Sequence, residues 1–80
     1  MEKRIGVIGV FIKERLTAAP EVNAILSEHA QLISGRLGLP FRSKGMSVIS
    51  LIIEASTDEV GAFTGKLGQL EGVRVKSFVI

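Results

Sequence analysis

Cysteine, tryptophan and tyrosine are absent from this 80-residue chain, which also holds only four phenylalanines, two prolines and one histidine. Without cysteine, neither a disulfide nor a thiolate metal site can brace so small a domain. The lone His29 lacks the second nitrogen or sulfur donor that a transition-metal site needs, so no metal is expected within one chain and a core histidine is the simpler role. Only Phe11 offers an aromatic ring on a central strand, which excludes the base-stacking platform of RNA-recognition domains. Long apolar runs are missing too. Hydrophobic residues reach 46%, yet charge or glycine interrupts them before the roughly 18 residues that span a bilayer. The opening Met1-Glu2-Lys3-Arg4-Ile5 carries no secretory cleavage pattern. A cytoplasmic protein with no membrane partner is the expectation. The net charge of +2 is too small to argue direct DNA or RNA binding.

Catalytic patterns are missing as well. No serine or threonine stands in a nucleophile-elbow context, and no glycine-rich phosphate loop precedes a helix. Glu14, Glu28, Glu54 and Glu71 are scattered along the chain. An enzyme is not expected, nor is a cofactor.

What is present is periodicity. Arg4 to Lys13 places Ile5, Val7, Gly9 and Phe11 on one face and Gly6, Ile8, Val10 and Ile12 on the other, the pattern of a central strand. Thr17 or Ala19 can cap a helix with Pro20 in its first turn, and Val22, Ile25, Leu26, His29 and Ile33 share one face of it. Leu37, Leu39 and Phe41 alternate with Arg36, Gly38, Pro40 and Arg42, which fits an edge strand; if its apolar side meets the helices, Arg36 and Arg42 border the sheet's open face. Ser43-Lys44-Gly45 is a turn. Met46 to Ala55 is again apolar on both sides. Ser56-Thr57-Asp58-Glu59 has the form of a capping box, and Val60, Phe63, Leu67 and Leu70 give the second helix its packing face. Val73 to Ile80 is the last strand. The order is βαββαβ, which predicts a single α+β, ferredoxin-like domain over residues 1–80 with an antiparallel sheet in order 4-1-3-2 and both helices on one face.

Two-sided central strands leave one apolar face uncovered, because helices cover only the other. By register, either Val7 and Phe11 with Ile49, Leu51 and Ile53, or Ile8, Val10 and Ile12 with Val48 and Ile52, would point outward. A patch of that kind predicts a homo-oligomer, a dimer or tetramer, with Val48 and Ile52 as interface candidates. Gly61, Gly65 and Gly68 form a stripe opposite the packing face of the second helix, where close approach of another backbone would repay the roughly 1 kcal/mol that each glycine costs a helix.

The run Gly65-Lys66-Leu67-Gly68-Gln69-Leu70-Glu71-Gly72-Val73-Arg74-Val75-Lys76-Ser77, with Met1-Glu2-Lys3-Arg4 and the region Pro40 to Glu54, resembles the iron-only hydrogenase system regulators over nearly the whole chain. That family is grouped with ACT-like domains and with the ligand-sensing half of the nickel-responsive repressor. The resemblance implies an oligomeric regulatory or ligand-sensing module, with a small-molecule effector or a protein partner bound at subunit junctions. In ACT-like domains the loop from first strand to first helix commonly holds a small ligand, which makes Gly9, Thr17, Ala18, Ala19 and Pro20 the candidate ligand-binding residues. The histidines and cysteine that hold nickel in the repressor have no counterparts here, so that site is not implied. An interaction scaffold without a small ligand is the alternative.

Overall fold

A computed structural model describes residues 2–13 and 15–80, and of residues 15–17 the backbone alone. Six main elements follow in chain order: β1 (Arg4–Ile12), α1 (Arg15–Glu28), β2 (Ile33–Phe41), β3 (Met46–Ala55), α2 (Thr57–Gly68) and β4 (Val73–Val79). The antiparallel sheet runs β2-β3-β1-β4, with the two strands apolar on both faces at its centre. The core lies between the sheet and the helices. Ile8, Val10 and Ile12 from β1 meet Ile49, Leu51 and Ile53 from β3, and Val22, Leu26, Phe63 and Leu67 close over them from the helices. Phe63 is fully buried, a burial that contributes roughly 1.5–3 kcal/mol.

The start of α2 follows its sequence signature. The Glu59 amide donates to Ser56 Oγ at 3.2 Å, and the Ser56 amide donates to Glu59 Oε1 at 2.8 Å, so two otherwise free helix-end donors are satisfied reciprocally. Gly72 ends the following turn at φ 80°, a conformation open to glycine at little cost, and sends the chain into β4.

Three expectations need correction. First, α1 begins at Arg15, so Pro20 stands inside the helix rather than in its first turn. The bond that Pro20 forgoes would have run to the carbonyl of residue 16, close to the helix start, where the loss is small. The helix also ends at Glu28, and Ile33 belongs to β2 rather than to the helical face.

Second, Leu37, Leu39 and Phe41 face away from the helices. Ile33 pairs with Ile53 on the inner side, but the register shifts between Ile33 and Gly35, after which Leu37, Leu39 and Phe41 lie opposite Ser50, Val48 and Met46. One extra residue reverses the facing of everything beyond it. Arg36 is thereby turned to the helix side, where its guanidinium donates to Asn23 Oδ1 at 3.4 Å.

Third, the outward set combines half of each expected alternative. Residues directly opposite one another share a face, and Val7 pairs with Ile52 while Phe11 pairs with Val48. Val7 and Phe11 therefore point outward together with Val48 and Ile52. Ile49, Leu51 and Ile53 are core.

Candidate functional site

The face of the sheet turned from the helices is the most unusual surface of the molecule. Its rows can be read across the strands: Leu39, Val48, Phe11 and Arg74 form one, and Leu37, Ser50, Gly9 and Lys76 the next. Val7, Ile52 and Phe78 continue the apolar band toward Ile5. Leu37 is 61% exposed, Phe78 66%, Ile5 65% and Ile52 45%. An apolar surface assembled from all four strands is uncommon on a soluble monomer. The sequence pointed to Val48 and Ile52, but not to Leu37, Leu39, Phe41 and Phe78. For Phe78 the signal was available, since it alternates in phase with Arg74 and Lys76. For the β2 residues it was hidden by the register shift.

Of the candidate ligand residues, Gly9, Ala18, Ala19 and Pro20 do not share one surface. Gly9 opens on the outer face, and the space above it is filled by the Phe11 ring, which would lie 3.1 Å from an added Cβ. Ala18 is buried in the core on the other side of the sheet. Ala19 lines a cavity of about 250 Å³ between α1 and β2, together with Asn23, Arg36 and Pro40. Pro20 is exposed, and the Thr17 side chain lies outside the described residues.

Gly61, Gly65 and Gly68 are exposed along α2. They line a shallow groove of about 440 Å³ against the free edge of β4. A Cβ at any of the three would meet nothing within 4 Å. Nothing among the described residues requires glycine there.

His29 follows α1 and is partly buried. Its ring stacks on Phe63 at 4.6 Å, and its Nδ1 lies 3.0 Å from the Ile25 carbonyl oxygen. Packing and one backbone contact account for it. Among the described residues no group of three or more histidines, cysteines or carboxylates is placed to hold a metal, and no helix is long and apolar enough to cross a membrane. The electrostatics are local. Lys3 Nζ donates to Glu59 Oε1 at 2.8 Å, and that bond, with the one from the Ser56 amide, lowers the Glu59 carboxyl from 4.5 to about 2.

A sheet of this order with both helices on one face is the ACT-like form of the ferredoxin-like fold. The ACT domain of GTP pyrophosphokinase from Chlorobium tepidum superposes with a TM-score of 0.77 at 18% identity, covering 98% of this chain and 89% of that one. An ACT domain protein from Streptococcus pneumoniae gives 0.60 at 15% identity, covering 95% and 89%. At such identities the likeness establishes the fold alone. The chain belongs to the TM1266-like family of iron-only hydrogenase system regulators, whose model matches residues 4–77. The uncharacterised protein TM1266 from Thermotoga maritima is 37% identical over 99% of both chains, with a TM-score of 0.94. No curated protein matches the chain. The family is described as one of regulators, and the fold that carries it is ACT-like.

Proposed function

We propose that this module works as a homo-oligomer, a dimer or tetramer, that closes its outer sheet faces against one another and binds a small effector or a partner protein at the subunit junction. The observation that supports this reading is the exposed band of Leu37, Leu39, Phe41, Ile52 and Phe78. Four strands about 4.8 Å apart and about nine residues long present a face of roughly 19 by 30 Å, close to the lower bound for a specific dimer interface. Burying even about 400 Å² of apolar surface per subunit would yield on the order of 10 kcal/mol before association costs. The glycine stripe of α2 is a second surface on which backbones can approach, suited to joining dimers. An effector shifts such an assembly only by preferring one packing over another, which is why its site belongs at a junction.

Sedimentation equilibrium at low micromolar concentration tests the reading. The unmodified chain should show no stable monomer, and a well-folded monomer at that concentration would refute it. Direct operator recognition is no part of the proposal. A mobility shift that is sequence-specific and resistant to physiological salt would count against it.

A further inference from the structure

We propose that the corner of the outer face at the C-terminal end of β1 binds a small organic anion with an apolar body. The head group sits between Lys13 and Arg74, and the body lies against Phe11 and Met46. This names the chemical class of the effector and rests on the regulatory reading for its consequence, though not for the binding itself.

The corner holds a cavity of about 380 Å³ lined by Phe11, Lys13, Met46, Gly72, Val73 and Arg74. Register explains how these six meet. Phe11 is opposite Arg74, and Ile12 lies between Ser47 and Val73. One residue further along, the Lys13 amide donates to the Gly72 carbonyl at 2.7 Å, and Met46 lies next to Ser47 at the start of β3. Two features keep the space open. Gly72 places no side chain in it, and its φ of 80° disfavours any residue that would. The Phe11 ring leans back over Gly9, away from Lys13, and so forms a wall rather than a plug.

The lining then sets the chemistry. Arg74 offers a planar fork that matches a carboxylate or phosphate, and Lys13 adds a compact positive charge. The salt bridges among the described residues join Lys3 to Glu59 and Lys66 to Glu28, and neither Lys13 nor Arg74 is in one. Phe11 and the Met46 thioether supply the apolar half, which suits an aromatic or branched body. A hydrated inorganic ion would leave that half unused.

Three probes on isotopically labelled full-length chain test the assignment by NMR: phenylacetate, benzyl phosphate and the neutral phenylacetamide. Either anion should move the Gly72 amide and Met46 methyl signals saturably, and the tighter of the two identifies the head group. Phenylacetamide should bind at least about tenfold more weakly, the scale of one charge-assisted contact, or about 1.4 kcal/mol. Arg74→Gln should weaken the anion by a similar factor, while Lys76→Gln, the next outward cation along β4, leaves it unchanged. Equal binding of the amide, no saturable shift with either anion, or equal effects of the two substitutions would overturn the site. Sedimentation of the same samples separates the two readings. Anion binding that leaves the assembly untouched counts against the regulatory reading while the site stands, whereas an intact oligomer that binds neither anion removes the site alone.

Discussion

On one side of the sheet, Ile8, Val10, Ile49, Leu51 and Ile53 are buried beneath two helices; on the other, Val7, Phe11, Val48, Ile52 and Leu37 are partly or largely open. Along the two central strands both faces carry aliphatic side chains; the outer face differs mainly in the polar Ser50 and in Arg74 and Lys76 at its β4 margin. Along those strands hydrophobicity alone does not distinguish core from surface. Coverage does. A β-branched residue in a strand is committed to a packed surface, and whether that surface is the core or an interface depends on which neighbour arrives.

Adjacent isoleucines offer the sharpest separation of the two. Ile53 is buried and Ile52 is outward. Ile53→Lys should abolish folding, since an unpaired buried charge costs about 3–5 kcal/mol or more, a large share of a small domain's stability. Ile52→Lys should keep the circular dichroism of the native chain and dissociate the oligomer in sedimentation. If both substitutions unfold the chain, the faces are not distinct in the proposed way. A smaller contrast lies between Phe63 and Phe78. Phe63→Ala should lose about 3–5 kcal/mol in urea unfolding. In the dissociated Ile52→Lys background, Phe78→Ala should change stability by less than about 1 kcal/mol, because its ring is already mostly in water.

Gly65→Ala tests the second surface. In an isolated subunit it should stabilise α2 by up to about 1 kcal/mol, because the new methyl meets no neighbour. Where glycines seat another backbone, the same methyl should shift a tetramer toward dimers at matched concentration. The smallest effect is electrostatic and belongs to the helix layer. Glu59 has its carboxyl depressed to about 2 in the folded chain by the Lys3 and Ser56 hydrogen bonds. Its contribution is therefore full above the ordinary value of 4.5 and disappears as pH falls toward 2. Thermal unfolding of the native chain and of Glu59→Gln should differ most above about pH 5 and converge by about pH 2. A gap that widens on acidification would contradict the assignment.

The central strands and the α2 cap could be read directly from the residues. Alternation along Arg4 to Lys13 and Met46 to Ala55 repeats over enough positions to survive local irregularity, and the Ser56–Glu59 box is a short-range signal that needs no tertiary partner. The start of α1 could not be, because Pro20 carries a first-turn signal that is overridden when Ala18 is drawn into the core. The facing of β2 was hidden for a different reason. A single unpaired residue leaves the alternation of Leu37, Leu39 and Phe41 intact and changes only its phase relative to Ile33, which no window confined to that segment can detect. The pairing of the first-strand Gly9 with the loop at Ala18 fails for a simpler reason: the sheet itself lies between them.

The register shift at the start of β2 also divides that strand into two reading frames. Ile33 is counted with the core, and everything from Gly35 onward is counted with the outer face. Removing Ser34 would take out the extra residue and leave both frames as they are. One residue inserted between Gly35 and Arg36 would have to be absorbed by a second irregularity, or else send Leu37, Leu39 and Phe41 into a core already full. The outer row of this edge strand can therefore change its composition without disturbing the anchor at Ile33, so the surface offered to a partner is free to diverge faster than the fold that carries it.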